Sequence, residues 1–117
     1  MNKSATAWRA QTVRRANLST VLAAVRQGGQ ASRSQLVSAT GLTRSAIGGL
    51  IAELSELGLV RELGAPSDGS PGRPSQMAQI NDAAVGALAI DIAVDGIAVA
   101  IVGLDGTVVA SRRRARP

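Results

Sequence analysis

The sequence predicts an α+β fold: three helices and a pair of short strands, followed by a three-stranded antiparallel meander. Three observations predict it. Between Ser32 and Leu59, two helix-start signals and two glycine stops divide the chain into two short helices. After Gly58 the apolar residues change from helical to alternating spacing. Further on, Asp95-Gly96 and Asp105-Gly106 interrupt a nearly continuous apolar run, as hairpin turns do.

Composition narrows the function. The chain has 117 residues, one domain's worth of length. Its formal net charge is +5 and its pI is near 11.5. Residues 1–80 carry nine Lys/Arg against four Asp/Glu, whereas residues 81–117 carry four of each. The positive excess therefore belongs to the helical part, where a nucleic-acid-binding unit keeps it. An inert, solvated basic surface has the same composition. There is no Cys and no His. That excludes thiolate and imidazole metal sites, Cys nucleophiles, His bases and disulfide-stapled scaffolds. No cofactor is expected. Trp8 is the only aromatic residue, which disfavours a single-strand or RNA binder built on base stacking. The opening MNKSATAWRAQ lacks the apolar segment of a signal peptide, so the expected location is cytoplasmic.

The first ten residues are small and polar, and are expected to fray. A helix is predicted over residues 12–27. Leu18, Val21, Leu22 and Val25 form its inward stripe, with Arg14, Arg15 and Arg26 off it, and Gly28-Gly29 ends it. Ser32 and Gln35 have the spacing of a capping box. The helix they start turns Leu36 and Val37 inward and breaks at Thr40-Gly41-Leu42, where Gly41 is free to take a positive φ. Thr43 suits the cap of the next helix. Ile47, Leu50, Ile51 and Leu54 give that helix a single apolar stripe, and Gly58 sits where a C′ glycine belongs. This is the pattern of a helix-turn-helix, whose second helix enters the major groove. On these residues alone an ordinary helical hairpin in a core fits equally well.

The segment after Gly58 favours the first reading. Leu59-Val60-Arg61-Glu62 reads as a short strand, and Ser75-Gln76-Met77-Ala78-Gln79-Ile80 alternates as a second strand does. Between them lies GAPSDGSPGRPS. A flexible loop joining two short strands after a recognition helix is a wing, and Arg73, between Gly72 and Pro74, is its best-placed charge for a minor groove or the backbone. A plain linker is the alternative.

Residues 83–104 are apolar enough to suggest a membrane span, but Asp91 and Asp95 would each cost about 2.5–3.5 kcal/mol near a bilayer centre. The turns divide the stretch instead into strands at about 86–94, 97–104 and 107–112. Leu88, Ile90, Ile92 and Val94 share one face of the first, and Ala87, Ala89, Asp91 and Ala93 the other. Two apolar faces imply packed layers on both sides, so the chain is expected to stop partway into a larger domain. Its closing run, Arg112-Arg113-Arg114-Ala115-Arg116, is expected to be disordered and solvated. The expected division is residues 1–80 and residues 81–117.

These segments resemble, in order, the amino-terminal part of a ROK-family transcriptional regulator (repressor, open reading frame, kinase). Arg14 and Asn17 with Val21-Leu22 match the family's first helix. SRSQLVSATGLTRSAIGGLIAELSELGLVRE matches its helix-turn-helix, Gly72-Arg73-Pro74 its wing, and GALAIDIAVDGIAVAIVGLDGTVV the first strands of its sugar-kinase-like domain. The resemblance covers roughly residues 13–111. It implies a winged helix-turn-helix, with three helices and a two-stranded wing, followed by the truncated start of an actin-like, sugar-kinase-like domain. It implies a repressor of sugar-utilisation genes whose partner is double-stranded operator DNA. Homo-oligomers, and a sugar effector in a full-length form only, come with it; a membrane does not. One departure bears on chemistry. Where family kinases carry an Asp-x-Gly-Gly-Thr phosphate loop, Asp91-Ile92 is followed here by Ala93-Val94-Asp95. Without those glycines, backbone amides cannot approach a phosphate closely, so an enzyme is not expected.

The expected DNA-binding residues are set by position. Arg44 and Ser45 open the second helix, for base edges or nearby phosphates. Thr43 caps that helix and offers its hydroxyl to phosphate. Ser32 and Arg33 begin the preceding helix, whose amide end favours phosphate. Gly48 and Gly49 cost about 1 kcal/mol each relative to Ala, and are expected to let the backbone lie close to the groove. They fall away from the Ile47 stripe with Ser45 and Ala52. Arg73 is the wing contact. Two other functions compete: a fragment of a ROK-type sugar kinase, and a winged helix that binds protein.

Overall fold

The computed structural model describes residues 3–64, 76–83 and 85–117. Three helices come first, α1 (Lys3–Gly28), α2 (Arg33–Thr40) and α3 (Arg44–Glu56), with a short strand β1 (Gln30–Ser32) between the first two. β2 (Val60–Leu63) and β3 (Met77–Ile80) come next, then β4 (Gly86–Ala93), β5 (Gly96–Gly103) and β6 (Val108–Ala115). The strands form two antiparallel sheets, ordered β1-β3-β2 and β4-β5-β6.

Local chemistry sets the helix ends. The Ser32 hydroxyl accepts from the Gln35 amide at 3.1 Å while the Gln35 side chain accepts from the Ser32 amide at 2.8 Å. That is the complete capping box. α2 stops where Gly41 turns left-handed at φ 72° and its amide donates to the Val37 carbonyl. Thr43 then caps α3, its hydroxyl accepting from the Ala46 amide at 3.1 Å. At the far end Gly58 takes φ 74°, its amide donates to Ser55, and the Leu59 amide donates to Leu54. These two bonds satisfy carbonyls that a helix end otherwise leaves open.

One core holds the helical part. Ile47, Leu50, Ile51 and Leu54 of α3 pack with Val21 and Val25 of α1 and Leu36 of α2. Ala31, Val60, Ala78 and Ile80 close it from the first sheet, where Val60 pairs with Ile80 and Ala31 with Ala78. The Asn81 amide donates to the Leu59 carbonyl and its side chain to the Gly58 carbonyl, both at 2.9 Å, so the sheet is tied to the end of α3.

The second sheet is a regular meander of three eight-residue strands. Its register puts Leu88, Ile90 and Ile92 of β4 beside Ile101, Val99 and Ile97 of β5 on one face. The other face is small: Ala87, Ala89, Asp91 and Ala93. Gly96 is required where β5 begins, because a Cβ there would stand 2.5 Å from the Arg114 carbonyl oxygen. The turn after β5 reaches back to the helical part. Leu104 packs against the core, and Arg26 of α1 lies beside Gly106. In that turn the Thr107 hydroxyl and amide, with a smaller contribution from Arg26, hold the Asp105 carboxyl below its ordinary range.

Four expectations are corrected. Residues 3–10 are helical rather than frayed: α1 begins at Lys3, nine residues before the predicted start, because alanines and arginines favour helix even without an apolar stripe. The first sheet has three strands rather than two, since β1 pairs with β3. The three residues of β1 carry no periodicity of their own, so only pairing reveals them. The arginine run is strand, with Arg112, Arg113 and Arg114 in register with Val99, Ala98 and Ile97. Strand bounds in the meander shift by one to three residues from those predicted. The predicted wing loop, with Gly72, Arg73 and Pro74, lies outside the described residues.

Two leucines test this division between core and surface. Leu54 is 1% exposed and Leu88 is 67% exposed. Leu54→Ala should cost about 2–5 kcal/mol of unfolding free energy, and Leu88→Ala no more than about 0.5 kcal/mol. Urea denaturation followed by helical circular dichroism checks both; equal costs would contradict the packing described.

Candidate nucleic-acid interface

The side of α3 opposite its apolar stripe is exposed, and two helices rim it. On one side Ser45, Ala46, Gly49 and Leu50 face Ala10, Val13, Arg14 and Asn17 of α1 across a groove of about 360 Å3. Arg14 forms an ion pair with Glu53 at the far end of this contact. On the other side α2 supplies Arg33 and Ser34. The Arg44 guanidinium lies 3.4 Å from the Ser34 hydroxyl, and Arg33 Nη1 would stand 3.7 Å from a Cβ placed on Gly48.

Seven of the eight predicted residues have a definite place. Arg44, Ser45, Gly48 and Gly49 come together on the first two turns of α3. Arg44, Ser45 and Gly49 are exposed and Gly48 is half-buried. A Cβ on Gly49 would meet nothing within 4 Å. The glycines are therefore not demanded by packing within the chain, and they leave that face flat. Ser32 and Thr43 spend their hydroxyls on helix caps. Arg33 is engaged as a brace: its Nη2 donates to Glu62 at 3.1 Å and to Gln76 at 3.4 Å, joining α2 to the first sheet. Arg73 lies outside the described residues.

The stretch from α2 to the first turns of α3 is positive in charge. Residues 33–49 contain Arg33 and Arg44 and no acidic residue. The amide ends of α2 and α3 add partial positive charge, with no carboxylate in either first turn to offset it. The first two turns of α3 are thus flat and acid-free, with the Arg44 guanidinium at their start, while Arg14 and Arg33 beside them are paired with Glu53 and Glu62; such a stretch suits a polyanion with a shaped surface.

The α1 wall of the groove went unread in the sequence. Its signal was there: residues 10, 13, 14 and 17 have the spacing of one helix face. The stripe carries a single bulky apolar residue, Val13, and its first member fell in the segment expected to fray.

Among the described residues no cluster of Asp or Glu could hold a metal ion, and no helix is long and apolar enough to cross a membrane. A concavity of about 830 Å3 lies over the meander between Ile92, Ile97 and Val99 and the arginines of β6. It is an open sheet surface in which aliphatic side chains of β4 and β5 lie beside guanidinium groups of β6.

Comparison with known proteins bears on the fold. No family profile and no curated protein matches the chain. Its structure is similar to the crystal structure of a ROK family transcriptional regulator, described as a homolog of the E. coli MLC protein. The TM-score is 0.69 at 23% sequence identity, over 88% of this chain and 26% of that one. The chain thus spans about a quarter of the structure it matches, and shares the fold of that part.

Proposed function

We propose that the chain is a regulator of the ROK type that binds double-stranded DNA through α3. In this reading residues 1–80 are a winged helix-turn-helix, and residues 81–117 are the opening strands of a sugar-kinase-like, actin-like domain. The observation that carries it is the outward face of the first two turns of α3, where Arg44 and Ser45 precede two consecutive glycines on a stretch without acids. The fold likeness to a ROK transcriptional regulator supports it.

The geometry suggests how the contact works. The amino end of α3 enters the major groove, where Arg44 reaches a base edge and Ser45 a base or phosphate. Gly48 and Gly49 let the backbone approach the groove wall. The amide ends of α2 and α3, capped by Ser32 and Thr43, lie toward phosphates. Arg33 steadies α2 through Glu62, and Arg73 serves the minor groove from the wing. Phosphate contacts set the register and base contacts set the sequence. Repression of sugar-utilisation genes in the cytoplasm, by an oligomeric form that senses a sugar, is the finer reading. No catalysis is assigned to the chain.

Two sets of variants test this reading by fluorescence anisotropy on selected and scrambled duplexes across a salt series. Arg44→Ala should cost about 1–3 kcal/mol on the selected duplex and much less on scrambled DNA. Arg73→Ala should matter most on A·T-rich flanks. If neither changes binding to any duplex, α3 and the wing are not the interface. The glycine pair should show opposed effects. Gly49→Ala should raise stability by about 1 kcal/mol, because helix propensity improves and the added methyl meets nothing. The same variant should weaken DNA binding, and tighter binding would contradict a role for the bare backbone.

A further inference from the structure

α1 is longer than its packing requires. At 26 residues it runs about 39 Å, yet its buried residues are Val21 and Val25, supported by Leu18, Leu22 and Ala24. Residues 3–16 are exposed throughout. Within them lie Lys3, Arg9, Arg14 and Arg15 and no acidic residue. Arg14 pairs with Glu53. Lys3, Arg9 and Arg15 have no carboxylate partner among the described residues.

The groove locates the projecting part. Ala10, Val13, Arg14 and Asn17 line it together with Ser45, Ala46, Gly49 and Leu50 of the first two turns of α3, and Arg14 also pairs with Glu53. Residues before Ala10 continue along the axis of α1 beyond the part of the helix that lines this groove. Lys3 precedes Ala10 by two turns and so extends the wall that lines the groove, and Arg9 precedes Val13 by one turn, on the flank of that wall. Arg15 lies two residues past Val13, on the other side of the helix.

We propose that the first two turns of α1 make a second contact with the duplex bound by α3, with Lys3 and Arg9 meeting backbone phosphates. This rests on the DNA-binding reading and extends its footprint to a helix that reading leaves as scaffold. Charge selects the partner: a projecting cationic segment without acids complements a phosphate backbone. A membrane surface fits poorly. Trp8 and Val13 are the only bulky apolar residues of the segment, and five positions apart they form no stripe. A protein groove would need an apolar helix face that is equally absent.

The test uses the whole chain and a mixed-sequence duplex several turns long, with affinity measured across a salt series. The Lys3→Ala, Arg9→Ala double variant should bind severalfold more weakly on any sequence. Its dependence of log affinity on log salt should be shallower by about two, near 0.9 for each phosphate no longer neutralised. Arg15→Ala should keep the parent slope. Both variants leave helix propensity intact, and circular dichroism verifies that α1 persists. A double variant with the parent slope overturns the inference, as does an Arg15→Ala loss of equal size. So does capture by phosphatidylserine vesicles that the double variant abolishes while duplex binding stays unchanged. A parent chain that binds no duplex removes the DNA-binding reading itself, an outcome distinct from unchanged variants of a parent that binds.

Discussion

Burial of the α3 stripe is the constraint on which the helical part depends. Ile47, Leu50, Ile51 and Leu54 leave water only if α1, α2 and the first sheet close over them together. Area bookkeeping makes each such side chain worth about 1.5–3 kcal/mol, more than any cap or ion pair here supplies. The exposed Arg33–Glu62 and Arg113–Asp95 pairs, at 3.1 and 3.3 Å, belong to a class worth about 1 kcal/mol or less. Packing thus fixes the helices, and the polar contacts choose their ends and angles. Because the stripe points inward, the opposite side of α3 must point outward, and the glycine pair is carried there with it.

Much of this was legible because its signals are local. Ser32 with Gln35, Thr43, Gly41 and Gly58 mark helix ends through atoms a few residues apart, and the structure uses each as the sequence implies. The features that escaped reading depend on distant partners. β1 exists only because Gln30, Ala31 and Ser32 find β3 nearly fifty residues later. Arg33 looks free for phosphate until Glu62 is placed beside it. The arginines of β6 resemble a solvated tail, yet backbone pairing with β5 orders them regardless of charge. For the interface, Arg44, Ser45, Gly48 and Gly49 could be read from one helix, whereas the α1 wall required two.

The meander is a different physical object. Its strands are held by ladders rather than by a core: β4 and β6 are exposed along their length, and Ile90 and Ile92 remain 59% and 76% exposed. A contiguous aliphatic face of this kind marks a surface made for contact. Its tie to the helices is the turn holding Leu104 and Asp105, the latter kept ionised by Thr107.

Contact between the outward face of α3 and duplex DNA is tested most directly by a titration of the isotopically labelled chain with duplex, monitored in amide nitrogen–proton spectra. Shifts concentrated at Thr43, Arg44, Ser45, Gly48 and Gly49, with β4 and β5 unmoved, are the predicted result. Shifts confined to the meander, or none at saturating duplex, would contradict it.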